Sequence, residues 1–277
     1  TLGYLYHAGE GVAENITEAI KWYSLAAEQG SIPSSVNLGL IFEFGRGVTE
    51  NKDKAAKWYR VAAGKGDSFA QYRIGRFYEE GLGVSEDQAE AIKWYKLAAK
   101  QGEADAQFLM AKRYQMGIGV SQDFAEARRL LELAAEQGLD LAQMHLGNLY
   151  SDDSDGVSQN LTEALKWWRL AAAQGQAGAQ TSLGFSYDVG FGVNENDSEA
   201  VKWYQLAAEQ GYARAQSNLG IMYFEGKGVP QNYLKAYGWL SIATLEDNGK
   251  DSLLTSSYIN VENNRECKDG DLLLMDF

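Results

Sequence analysis

Small, aromatic and polar positions recur along this chain with a single period. A glycine that closes an alanine-rich stretch stands at Gly30, Gly66, Gly102, Gly138, Gly175 and Gly211, at spacings of 36, 36, 36, 37 and 36 residues. A column of small residues runs Gly3, Gly39, Gly75, Ala111, Gly147, Gly184 and Gly220. A bulky column runs Trp22, Trp58, Trp94, Leu130, Trp167, Trp203 and Trp239. Every column shifts by one residue after the segment 151–155, as an array with one insertion requires. Self-similarity at such a period marks a solenoid, whose units bury their apolar faces only by stacking.

Each period predicts two helices, A (typified by residues 70–78) and B (typified by residues 89–99). Helix B opens in every copy on Asn15, Asn51, Asp87, Asp123, Asn160, Asn196 or Asn232. A side-chain oxygen there can accept a hydrogen bond from a free N–H of the first turn. Glu18, Glu90, Glu126, Glu163 and Glu199 follow three residues later, the spacing of a reciprocal capping box. The Gly30-to-Gly211 series falls where a helix C-terminus favours a left-handed residue. A Gly-x-Gly-Val turn joins A to B at residues 9–12, 45–48, 81–84, 117–120, 190–193 and 226–229.

Glycine inside a helix costs about 0.5–1 kcal/mol relative to alanine, so the small column is expected to mark close approach of two helix backbones. Paired alanines such as Ala62-Ala63 and Ala98-Ala99 would do the same from helix B. The tryptophan column and the aromatic column Tyr6, Phe42, Tyr78, Tyr114, Tyr150, Tyr187 and Tyr223 are expected to fill the core. The expected fold is all-α: a right-handed α/α superhelical solenoid of about seven helix-turn-helix repeats over residues 1–244. Residues 245–277 carry no repeat and predict a capping helix near 251–260 and an acidic tail.

The unit reads Gly-x-Gly-Val, Asn/Asp, Glu-Ala-(Ile/Val)-Lys-Trp-Tyr-x-Leu-Ala-Ala-Glu-Gln-Gly, then Ala-Gln-x-x-Leu-Gly-x-x-Tyr, nearly all of it present within residues 192–223. It resembles the Sel1-like repeat, a relative of tetratricopeptide arrays. The resemblance implies a bacterial adaptor or scaffold that binds other proteins, with its A helices lining a concave groove. A cysteine-rich branch of that family has been linked to β-lactam binding, but the lone Cys267 lacks that branch's disulfides.

Positions that differ between copies point to the binding residues. On helix A they lie two before, one after and four after the small residue, a spacing that places them on one stripe. The trios are Asn37/Leu40/Glu43, Arg73/Arg76/Glu79, Leu109/Lys112/Gln115, His145/Asn148/Ser151, Ser182/Phe185/Asp188 and Asn218/Ile221/Phe224. Arg73, Arg76 and Lys112, with Arg113 in a column that is mostly apolar elsewhere, suggest a basic patch for an acidic peptide or a C-terminal carboxylate. Phe185, Ile221 and Phe224 suggest an apolar pocket.

Other chemistry fails on spacing. Residues 151–156 echo a calcium loop, but Ser151 and Thr162 stand where the first and twelfth ligands belong. The glycine turns lack the lysine of a phosphate loop. His7 and His145 lie four repeats apart and Cys267 is in the tail, so neither a Cys–His pair nor a zinc site is expected. Asn15, Asn160 and Asn196 match glycosylation sequons, yet all three belong to the capping column.

Composition adds limits. A net charge of −13 disfavours nucleic acid and anionic membrane surfaces, and no apolar run is long enough to span a bilayer. The chain opens at Thr1 inside a repeat, reads as a fragment or processed form, and leaves cytoplasmic and periplasmic or secreted locations both open. The expected function is a non-catalytic scaffold without cofactor or metal, holding a protein or peptide in its groove. The rival expectations are a hydrolase acting on cell-wall or β-lactam substrates and a spacer that self-associates through its tail.

Overall fold

The computed structural model describes residues 2–153 and 158–246, which form α-helices without a strand among them. The helices pair in chain order: α1 (Leu2–Ala8) with α2 (Ile16–Glu28), α3 (Ile32–Phe44) with α4 (Lys52–Gly64), and α5 (Ser68–Glu80) with α6 (Gln88–Lys100). Then come α7 (Ala104–Met116) with α8 (Phe124–Glu136), and α9 (Asp140–Ser151) with α10 (Leu161–Ala173). The last pairs are α11 (Ala177–Val189) with α12 (Asp197–Ala208) and α13 (Ala213–Glu225) with α14 (Tyr233–Glu246). The fold is thus an all-α array of helical pairs, and it falls into two compact units, Thr1–Ala142 and Gln143–Phe277. The capping helix and acidic tail expected beyond residue 246, with Cys267, lie outside the described residues.

The helix starts follow the sequence, with one correction. Each cap side chain accepts from the N–H three residues on, at 2.8 to 3.2 Å, from Asn15 with Glu18 to Asn232 with Lys235. The reciprocal half of the capping box does not form. The cap N–H donates instead to the carbonyl of the aromatic column on helix A, as in Asn51 to Phe42 (2.8 Å) and Asp87 to Tyr78 (2.9 Å). That bond closes the A–B turn, so the glutamate is left to pair outward with a cation three residues on. Glu90 with Lys93 (2.8 Å) and Glu126 with Arg129 (2.7 Å) show this arrangement.

The Gly-x-Gly-Val turn depends on both of its glycines. Gly45 caps α3 in the left-handed region at φ 61°, and Gly47 follows at φ 68°. A Cβ on Gly47 would stand 2.6 Å from Ile16 Cγ1 in the preceding repeat, so this glycine also sets how closely adjacent pairs stack.

A second correction concerns the core. The deepest column is not the tryptophans but their neighbours one residue on: Tyr23, Tyr59, Tyr95 and Tyr204 are at most 1% exposed. Trp22 is 37% exposed, and Trp58, Trp94, Trp167, Trp203 and Trp239 are half-buried. Adjacent helical residues point about 100° apart, so only one of the two aromatics can face helix A. The tyrosine ring lies against the small column. A Cβ on Gly39 would come within 2.5 Å of Tyr59 Cε1, and one on Gly75 within 2.8 Å of Tyr95 Cδ1. The small column therefore admits an aromatic ring as well as a backbone. Burying a large apolar side chain contributes roughly 2–3 kcal/mol, more than glycine costs in the helix. Where the small residue is Ala111, its counterpart on helix B is the smaller Leu131, 3% exposed.

Buried glutamines tie the repeats together. Gln71 Nε2 donates to the Ala63 carbonyl of the preceding helix B (3.2 Å), while its Oε1 accepts from Gln101 at the end of α6 (2.7 Å). Gln107 repeats both bonds with Ala99 and Gln137, and Gln180 with Ala172 and Gln210. Each of these carbonyls also accepts from the N–H of the closing glycine, so the ladder adds a second bond at the helix C-terminus. Gln216 carries it to Ala208 (3.3 Å).

Gly39→Ala is expected to lower stability in urea unfolding by roughly 1–3 kcal/mol, overpacking outweighing alanine's better helix propensity. Combined with Tyr59→Leu the same change should cost at least about 1 kcal/mol less, imitating the natural Ala111 and Leu131 pairing. Simple additivity in the double mutant would show that ring and glycine are not coupled.

Candidate functional site

Helix A presents its stripe on α3, α5 and α7 in the first unit and on α9, α11 and α13 in the second. The third position of that stripe has a structural duty. The buried tyrosine hydroxyl on helix B reaches back to it: Tyr59 donates to Glu43 and Tyr95 to Glu79, both at 2.6 Å, and Tyr204 donates to Asp188 at 3.3 Å. In the first repeat the Tyr23 hydroxyl lies 3.4 Å from His7 Nδ1. Burial pushes the Tyr59, Tyr95 and Tyr204 phenols well above their usual range, so they remain donors. Where helix B carries Leu131, Trp168 or Leu240 instead, the third stripe position is Gln115, Ser151 or Phe224. Its variation follows the buried ring rather than a ligand.

The expected basic patch is divided by the same logic. Arg73 pairs with Glu43 of the preceding repeat, with side-chain exposures of only 13% and 7%. Its guanidinium also lies 5.7 Å from the Phe44 ring centroid and 5.9 Å from that of Tyr59. Burial, and then the adjacent Arg76 charge, hold the Arg73 guanidinium below its ordinary value. Arg113 is buried too, pairs with Glu79 and accepts no solvent-facing role; its second partner is Gln88 at 3.2 Å. Both arginines neutralise carboxylates that hold tyrosine hydroxyls, so they do not present a free positive surface.

Arg76 and Lys112 remain toward solvent. Arg76, 37% exposed, pairs with Glu80 on its own helix, and Lys112 lies 5.8 Å from the Phe108 ring centroid. Asn37, Leu40 and Leu109 are half-buried, with Leu40 packed on the core formed by Ala55, Tyr59 and Ile74. In the second unit His145 is half-buried and the exposed Asn148 accepts from Trp168 Nε1 at 2.9 Å. Phe185 is 46% exposed beside Phe191, and Phe224 meets the Tyr233 ring edge-on at 5.5 Å. Asn218 and Ile221 are half-buried on the same stripe of α13.

A single copy gives no sign of the Glu43–Tyr59–Arg73 clamp. The signal that could have found it is covariation between copies, an acceptor on helix A appearing with a tyrosine sixteen residues later. Among the described residues there is no His, Cys, Asp and Glu cluster able to hold a metal, and no helix is long and apolar enough to cross a membrane.

The family model of the Sel1 repeat matches residues 2–31, 33–67, 68–103, 104–139, 140–176, 177–212 and 213–248. The chain belongs to the Sel1 repeat family. A Sel1 repeat protein from Oxalobacter formigenes is 34% identical, with a TM-score of 0.73 over 94% of this chain and 74% of that one. A protective antigen of uropathogenic Escherichia coli strains displaying an SLR fold is 30% identical, with a TM-score of 0.68 over 96% of this chain. This chain spans 64% of that antigen's length. A search of curated proteins returns no match.

Glu43→Gln should cost roughly 3 kcal/mol in chemical unfolding, because it leaves the Arg73 charge buried and unpaired. Arg76→Ala, which breaks an exposed helical pair, should cost no more than about 0.5 kcal/mol. Equal effects would contradict the division between structural and exposed cations.

Proposed function

We propose that this Sel1 repeat chain is a non-catalytic scaffold that holds a protein or peptide partner along the A-helix stripe. Family membership supports the coarse part, since Sel1 repeat proteins generally serve protein interactions and the fold is typically non-catalytic. The observation that carries the finer part is a contrast between columns. Positions that cap, turn or pack repeat in kind, and the third stripe position follows its buried ring, whereas the first two stripe positions change freely between copies. Arg76, Lys112, Asn148 and Phe185 are the members of that stripe with the most accessible chemistry, two cations in the first unit and an amide and an aromatic ring in the second. An acidic segment suits the first unit's stripe through charge-assisted bonds to Arg76 and Lys112.

In affinity capture from the native organism followed by mass spectrometry, Arg76→Glu with Lys112→Glu should remove specific captured proteins while leaving the melting temperature within a few degrees of the parent. Capture of an unchanged set of partners by the double variant would overturn the stripe as the binding surface.

A further inference from the structure

The outer face of α14 is bare where every comparable face is covered. Tyr237 stands in the column of Ile92, Leu165 and Val201, and Tyr233 in that of Ile16 and Leu161. In those earlier repeats the glycine turn of the following pair packs on these positions. A Cβ on Gly119 would lie 2.3 Å from Ile92 Cδ1, and one on Gly192 2.8 Å from Leu161 Cβ. Ile92 and Val201 are accordingly 6% exposed, whereas Tyr237 is 41% exposed. Tyr233 and Leu234 are exposed beside it. The Sel1 match stops at residue 248, so residues 249–277 do not supply the next glycine turn.

This face does not have the make-up of a solvated helix surface. The cationic column Lys21, Lys57, Lys93, Arg129, Lys166 and Lys202 reaches α14 as Gly238, and the column of Arg60, Lys96, Glu132 and Arg169 reaches it as Ser241. Tyr233, Leu234, Tyr237, Gly238 and Ser241 share one sector of the helix, and no charged residue falls in it. Lys235 lies outside that sector, 5.0 Å from the Tyr223 ring centroid. A helix that is apolar on the side away from its own core is built to be covered there too. A second gap lies at the same end of the pair. The ladder glutamine accepts, in earlier pairs, from the residue that closes helix B, Gln101 for Gln71 and Gln210 for Gln180. The residue thirty positions after Gln216 is a glutamate, Glu246, and an ionised carboxylate has no hydrogen to donate. Gln216 is 2% exposed, and its Oε1 is buried without a partner among the described residues. A buried amide oxygen calls for a donor.

We propose that the bare face of α14 is a docking surface for this chain's own residues 251–261, which lie on it as a closing helix. The sequence just past α14 has the pattern that the face requires. Asn248-Gly249 is a turn signal that lets the chain reverse. Leu254, Tyr258 and Val261 then recur at i, i+4 and i+7, the spacing of one apolar helical stripe. The missing donor to Gln216 belongs to the same place, because in the other pairs it comes from the residue that ends helix B. The chain just past Glu246 is therefore placed to bring an amide N–H to Gln216 Oε1. Tethering favours this occupant over a second copy, since a segment joined to α14 meets the face at a high effective concentration.

Hydrogen exchange read by mass spectrometry on the full chain tests this, with a free peptide of residues 251–261 as the reference. In the parent, the amides of 251–261 should exchange at least tenfold more slowly than in the peptide. Tyr237→Asp, at an exposed position, should return them to the peptide's rate while α11 and α12 stay as protected as before. Leu254→Asp with Tyr258→Asp should do the same and also speed exchange in α14, and it decides the matter even if the first variant disturbs the helix. Exchange of 251–261 at the peptide's rate in the parent would overturn the proposal. Protection that survives Tyr237→Asp would overturn it too, by seating the segment elsewhere. A parent that sediments as a dimer, with α14 protected and 251–261 at the peptide's rate, would make a second copy the occupant and would likewise overturn it.

Discussion

Everything in this array rests on one fit: a large side chain of helix B seated on a position of helix A that has no room for a Cβ. Gly147 under Trp168 shows it at 2.4 Å, and Gly39 under Tyr59 and Gly184 under Tyr204 at 2.5 Å from ring atom to where a Cβ would stand. The close approach of the pair follows from it. So does the chemistry around the ring, because a phenol taken to near-complete burial must find an acceptor. Glu43, Glu79 and Asp188 supply one, and the first two of these carboxylates in turn require a cation. A steric choice at one glycine thus propagates through a hydrogen bond to an ion pair in the next repeat.

That chain of consequence explains why charges which look like a binding surface divide so unevenly. Arg73 and Arg113 answer carboxylates that were brought inside for the tyrosines, whereas Arg76 and Lys112 have no such duty. Arg113 illustrates the rule well. It stands in a column held elsewhere by Ile41, Phe77 and Met222, and its burial is compatible with that column only because Glu79 and Gln88 meet its guanidinium. A cation placed there without partners would be strongly disfavoured.

The fourth repeat departs from its two neighbours in three ways. Its small residue is Ala111, the ring above it is replaced by Leu131, and the outer indole is replaced by Leu130. The first two changes compensate each other in volume. The third is not compensated within that pair, and Leu130 takes the position as a smaller side chain that is 4% exposed.

The sequence by itself determined the period, the helix ends, the turns and the family, because these depend on backbone demands met within a few residues. An Asn or Asp three residues before a free N–H, or a glycine at positive φ, carries its meaning locally. Reading the copies against one another also exposed the stripe, although not which of its members were already engaged. Only the tertiary structure decided which of two adjacent aromatic columns turned inward, since Trp58 and Tyr59 are alike in character and differ only in the direction that the neighbouring helix imposes. It likewise sent each cap N–H to the preceding helix rather than to a glutamate, and assigned Arg73 and Arg113 to the interior. Each of those outcomes depends on groups far apart in the chain but a few ångströms apart in space, and no local preference encodes such a distance.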